Sequence, residues 1–382
     1  MLSLIGFEFK KFLSKRKNWV AIGACIILFI VFISLSFKLD IVLSQNELES
    51  IDLRIESIDE SSIDIKNEMK KYPNNDKLKL IDSQYMQEVE LLKAMKEAYI
   101  SKEFSEVLEY KIKVDKLLID SIEGGSVIAP IGIPELEDNI RFNSILLDKG
   151  IDPINTGTSM EGYNFIKLIL SNPMSLIIII LIITISADIV SSEFNDNTYK
   201  LLFTQPIKKR NILISKLIAN ILINITTIFA IILISFIVLG CINGFGSIQY
   251  PTEFYSNGII EYIEIGKFLA LDILLFSMVV LFISSLTMLI SSFSKSNSNS
   301  LALSIIVTIS AYMISNKGYL NKMAHLNPFI YIDTSNVLQG VQGRVIDNVN
   351  INFEYGIVIM LLYTTILIIS NIYFLGKKKS NY

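Results

Sequence analysis

Apolar residues run almost without interruption through six stretches of the chain, each approaching or reaching the ~20 residues a helix needs to cross a hydrocarbon core. These cover residues 19–37, 174–190, 217–239, 268–290, 301–315 and 355–375. The fifth is the shortest: its apolar run is ragged, and Ser315, Asn316 and Lys317 interrupt it at once. The pattern predicts an all-α membrane protein with six transmembrane helices.

The polar stretches between these runs are unequal. Residues 38–163 form by far the largest, and their periodicity is helical. Ile41, Leu48 and Ile55 recur every seven positions and interleave with Ile51, Ile58 and Ile65, which draws one apolar stripe down a helix. After the breaker Tyr72, Pro73, Asn74, Asn75, Asp76, a second stripe begins at Leu78 and continues through Ile81, Tyr85, Leu92, Met95 and Tyr99. The expectation is a long, coiled-coil-like helical hairpin. Beyond Ser121, Gly124, Gly125, Pro130, Gly132, Pro134 and Pro153 predict loops and turns, with re-entry to the membrane over 157–163. The later connections are smaller. Residues 240–267 read as a loop with an amphipathic stretch over 259–265, and residues 316–354 as a loop with re-entrant half-helices around Asn327, Pro328 and Phe329.

Composition agrees: hydrophobic residues make up 51% and charged residues 19% of the 382, too apolar for a water-soluble globule. Charge supplies the orientation, because connections left in the cytosol keep Lys and Arg. Lys10, Lys11, Lys15, Arg16 and Lys17 precede the first span; Lys200, Lys208, Lys209 and Arg210 lie between the second and third; Lys377, Lys378 and Lys379 follow the sixth. Six spans put all three clusters on one side, so both termini are expected in the cytosol, residues 1–18 as an interfacial helix and 376–382 as a tail. The expected location is a bacterial plasma membrane. Residues 38–163 hold 26 acidic and 15 basic side chains and fall on the other side as an extracytosolic insert, while the remainder is net basic. A rival reading makes the first span a signal peptide cleaved near Ser34 to Ser36, but its apolar run is longer than such a segment usually has.

Catalytic chemistry is poorly supplied. His325 is the one histidine, Cys25 and Cys241 have no ligand spacing, and neither a metal site nor a bound cofactor is expected. Asp188 and Asp272 fall near opposite ends of their spans, where each is expected to reach headgroups or water rather than to line an ion pathway. The chain has no G-x-x-x-x-G-K-[ST] loop, so any ATP used must be bound by another chain.

That leaves residues 191–216, between the second and third spans. A polar turn around Asn195 to Asn197 is followed by Tyr199, Leu201, Leu202 and Phe203, then Pro206 and the basic triplet, a pattern suited to a short helix along the inner face. The order Glu193, Thr198, Leu202, Pro206, Ile207, Arg210, Lys216 resembles the segment after the second span of ABC-2 type transporter permeases. Asn197 stands where those proteins often have Gly, a change a left-handed turn accommodates. The six-span layout and the basic amino end, with Phe7, Phe9 and Phe12 among lysines, are also similar to that family.

The resemblance implies a permease subunit, not an enzyme, that pairs with a second permease, identical or related, in the lipid bilayer. A separate cytosolic ATPase subunit would bind the ATP, and no nucleic acid is implicated. It implies that Glu193, Thr198, Leu201, Leu202, Phe203, Pro206, Lys208, Lys209 and Arg210 form the coupling segment that docks on the ATPase. The apolar spans offer few fixed charges for gripping a small ion, so an amphipathic cargo is expected: a peptide, drug or lipid-linked molecule. The alternative is a membrane sensor whose helical extracytosolic domain binds a ligand. A sensor usually carries a larger cytosolic output module than residues 191–216.

Overall fold

The computed structural model describes residues 2–125, 131–195, 198, 209–256, 258–315, 317 and 321–377. They fall into two compact units. One comprises 1–33, 160–248 and 252–382; the other comprises 34–159 and 249–251.

In the first unit, α1 (Leu2–Ser14) leads into the long helix α2 (Arg16–Lys71), whose opening part is the first span. The carbonyls left open at the end of α1 are taken by side chains from the start of α2: Asn18 Nδ2 donates to Phe12 O (2.9 Å) and Trp19 Nε1 to Leu13 O (2.8 Å). A short buried helix α6 (Gly162–Leu170) precedes α7 (Met174–Ser186) and α8 (Ser191–Asn195). The remaining spans are α9 (Lys209–Asn243), α10 (Ile265–Phe293), α11 (Asn297–Ser315) and α14 (Phe353–Lys377). Among the described residues, six helical segments are long and apolar enough to cross a membrane, so this is a multi-pass membrane protein. The helix α2 runs unbroken through Ser34 to Ser36, with no change of structure at the small-residue site.

The fifth span begins at Asn297, four residues before its apolar run. Ser300, Ser304 and Thr308, spaced by four, are buried against the protein, so the residues that made the run look ragged are its inward face. The second span is helical only to Ser186 and continues through a turn into α8.

Two further expectations are corrected. The amphipathic stretch expected within a loop is a strand over 259–264: β1 (Pro251–Ser256) pairs with β2 (Ile259–Glu264) across a turn in which Gly258 has φ +85°. Its β-branched and aromatic residues suit a half-buried strand. The re-entrant half-helices expected in 316–354 take the form of two 3₁₀ turns (Asn321–Leu326, Pro328–Ile332) and the short helices α12 (Thr334–Leu338) and α13 (Val341–Ile346). This connection packs as core: Ile330, Tyr331, Ile332, Val337, Leu338 and Ile351 have no exposed surface. His325 lies within it as a structural residue, against the Tyr355 ring at 5.4 Å, with its carbonyl accepting from Tyr331 OH at 2.8 Å. Gly340 links α12 to α13 at φ +72°, where an added Cβ would lie 2.5 Å from the Tyr255 ring.

The second unit is built by the rest of α2 with α3 (Asp76–Ser101), α4 (Phe104–Glu123) and α5 (Ile133–Lys149). As residue numbers rise along α2, their partners fall along α3: Glu47 with Tyr99 (3.1 Å), Asp52 with Lys96 (2.5 Å), Ser62 with Asp82 (2.9 Å). That is an antiparallel hairpin, and Ile51, Ile58, Leu92 and Met95 from both stripes lie in one apolar cluster. Val107, Val114 and Leu118 of α4 and Leu136 of α5 complete the cluster. The expected loop beyond Ser121 is therefore largely wrong. Pro134 starts α5 instead of breaking it, since its missing N–H falls in the first turn, and Gly150 ends the helix at φ +61°.

Candidate functional site

Residues 191–216 leave α7 and return as α9, and their two ends are tied together by charge. Lys216, in the second turn of α9, is 1% exposed. Its ammonium lies 2.5 Å from Glu8 of α1 and forms an ion pair with Glu193 of α8. Glu8 and Glu193 are 7% and 6% exposed. Lys11 adds a contact to Glu193 at 3.4 Å, and Lys15 pairs with Asp188 at 2.7 Å, with Lys17 at 3.7 Å on its other oxygen. Glu8, Lys11 and Lys15 follow at spacings of three and four, so one line of side chains along α1 and its end meets both sides of the segment. The carboxylates have to be paired here, because a buried charge without a partner is costly.

Apolar packing reinforces the ions. Ile189 and Val190 from the entry, Leu213 and Leu217 from the exit, and Met288 of α10 form a cluster of their own. The turn joining α7 to α8 is pinned by hydroxyls. Ala187 O accepts from Ser291 (2.6 Å), Ser300 (2.6 Å) and Ser191 (2.9 Å). Ser291 Oγ in turn accepts from Ser191 N at 3.0 Å. Serines from α10 and α11 thus take over where the helical ladder lapses. From Lys216 the same face of α9 continues as Asn220 and Asn224, four and eight residues on. Asn224 Nδ2 donates to Ser186 Oγ (2.8 Å) and Ser284 Oγ (3.0 Å), which extends the polar seam into the span.

The site is thus a clamp of ions and hydroxyls around the two ends of one connection; among the described residues no group of His, Cys, Asp or Glu is arranged to hold a metal ion. The sequence profile of the ABC-2 family transporter proteins matches residues 2–375. The chain belongs to the ABC-2 transporter family. It is a permease subunit of an ABC transporter, a transport subunit and not itself the catalytic one. No curated protein and no solved structure matches it.

In this ABC-2 permease, the residues expected to couple to an ATPase are only partly placed. Glu193 is buried in the clamp, Thr198 and Arg210 are exposed, and Lys209 opens α9. Leu201, Leu202, Phe203, Pro206 and Lys208 lie outside the described residues. The Glu193 carboxylate is paired within the chain, with Lys216 and Lys11. Asp188, expected to reach headgroups or water, is 4% exposed and held by Lys15. Asp272, expected near the outer water, has no exposed surface at all. Sequence reasoning missed Glu8, Lys11 and Lys15 as partners. The available signal was Glu8 itself, a lone acid in an otherwise basic leader, together with a lysine one residue before the third span.

Proposed function

We propose that this permease subunit exports an amphipathic cargo, a peptide, drug or lipid-linked molecule, and is energised by a separate cytosolic ATPase subunit. The ATPase docks on residues 193–210, both termini share its compartment, and the permease works beside a second copy or a related chain. The observation that carries the reading is the buried Glu8–Lys216–Glu193 ion triad, which fixes both ends of that segment to each other and to α1. A loop anchored this way moves as a unit with α7, α9 and α1, as a lever must; a loop that only retained positive charge would need no buried anchor. Unit two, net acidic and helical, then lies on the opposite side of the membrane from the ATPase.

Purification of the tagged full-length chain in mild detergent tests the reading. The expected result is recovery of an ATPase subunit, lost when Lys208, Lys209 and Arg210 are all changed to Glu. A stably folded chain that brings down no ATPase overturns it.

A further inference from the structure

One face of α1 belongs to the clamp and the opposite face is bare. On the inner side, where α1 packs along α9, Glu8 and Lys11 meet Lys216 and Glu193. On the outer side Leu2, Lys10 and Leu13, spaced by eight and three, share one exposed helical face. The start of α2 adds exposed Arg16 and Trp19. Trp19 is the single tryptophan of the chain, and its indole N–H donates to Leu13 O at 2.8 Å, which sets the exposed ring beside the end of α1. From Trp19 the exposed apolar surface runs on along the first span through Val20, Ile27 and Ile30. That surface faces acyl chains, so the end of α1 stands where the chain leaves the bilayer.

The cations on this surface divide in two. Lys11, Lys15 and Lys17 are each paired with Glu193 or Asp188, whereas Lys10 and Arg16 have no ion pair or hydrogen bond among the described residues. The helix α2 also has no acidic residue in its first turn, so no side chain of its own offsets the positive end of its dipole beside Arg16. Unpaired cations next to exposed apolar side chains, continuous with a lipid-facing span, complement a phospholipid surface of opposite charge. We propose that the outer face of α1 and the start of α2 form an anionic-phospholipid site, with Lys10 and Arg16 on the lipid phosphates and Leu13 and Trp19 at the acyl boundary. Glu8 and Lys11 lie on the other face of the same 13-residue helix, so lipid that holds α1 to the bilayer also holds it in the clamp. Lipid binding here needs no ATPase and is independent of the function proposed above.

The test uses the full chain in vesicles of phosphatidylcholine and phosphatidylglycerol at one fixed ratio, with brominated acyl chains on either the neutral or the anionic lipid. Bromine quenches indole emission at short range, and with one tryptophan in the chain the signal reports this site alone. Brominated phosphatidylglycerol is expected to be preferred, by roughly fivefold for each unpaired cation at the surface. Lys10→Gln and Arg16→Gln should each lower the preference and together abolish it. Lys295→Gln, at an exposed lysine between α10 and α11, should leave it unchanged. Equal quenching by the two lipids, a preference that survives the double variant, or an equal fall in Lys295→Gln overturns the site. Hydrogen exchange over residues 2–14 reads the hold on the clamp. It should slow about fivefold between neutral and anionic vesicles in wild type and not in the double variant. Wild-type exchange that ignores lipid charge overturns that hold.

Discussion

Replacing Lys216 with Met removes the ammonium on which Glu8 and Glu193 converge and leaves their carboxylates facing each other inside the protein. Both oxygens bond the same ammonium, one at 2.5 Å, so they lie within about 5 Å of each other. At that separation and an effective dielectric of about 20, two unit negative charges repel by roughly 3 kcal/mol. Lys11, at 3.4 Å, still compensates Glu193, but Glu8 keeps no cation partner among the described residues. Stranding a buried ion in this way costs about 3–5 kcal/mol, whereas exchanging a whole buried ion cluster for neutral groups is often nearly neutral. The single variant Lys216→Met should therefore lose about 3–5 kcal/mol in equilibrium unfolding in mixed micelles, and the triple variant Glu8→Gln/Lys216→Met/Glu193→Gln about 1 kcal/mol or less. Cysteines placed on α1 and α9 should cross-link less in the single variant and normally in the triple one. Equal losses in the single and triple variants, or a single-variant loss under about 0.5 kcal/mol, refute the argument that α1 is held by this charge.

Ser291→Ala leaves the Ala187 carbonyl and the Ser191 amide each short of one partner and should cost about 1–3 kcal/mol, read in the same unfolding assay, with faster protease cleavage within 196–208. Gly340→Ala puts a Cβ against the Tyr255 ring at a left-handed backbone position and should destabilise by more than about 1 kcal/mol; a neutral result would contradict the packing of β1 on the α12–α13 junction. In unit two, burial raises the Asp115 carboxyl to about 6, only partly countered by Lys111. Between pH 4 and pH 6 the folded state then holds a proton that the unfolded chain has lost, so this group's contribution to stability falls as pH rises through that window. Asp115→Asn should flatten that slope and gain stability relative to wild type at pH 7, as seen by thermal unfolding at a series of pH values.

The spans were legible because about twenty apolar residues in sequence admit few other structures. The hairpin of α2 and α3 was legible because Ile51, Ile58, Leu92 and Met95 repeat at helical spacing. Where reading failed, local signals supported two outcomes. Pro134 both stops and starts helices, and only the partner helix α4 makes α5 worth forming. The stretch 259–265 read only as amphipathic within a loop, too short for its period to reveal an element, and pairing with β1 makes 259–264 a strand. The clamp was hidden for a different reason: Glu8 and Lys216 are 208 residues apart, and no local pattern shows that two isolated charges of opposite sign will meet. Of the expected coupling residues, Thr198 and Arg210 are exposed and Glu193 is buried and paired with Lys216, a difference in burial that residue type alone does not reveal.

The central claim is tested most directly by ATP turnover of the reconstituted complex in lipid. Wild-type permease should change its ATPase partner's hydrolysis rate when cargo is supplied, and Lys208→Glu/Lys209→Glu/Arg210→Glu should abolish that response while the chain still inserts and unfolds normally. A cargo response unchanged by these substitutions would contradict the assignment of residues 193–210 as the lever between ATP and transport.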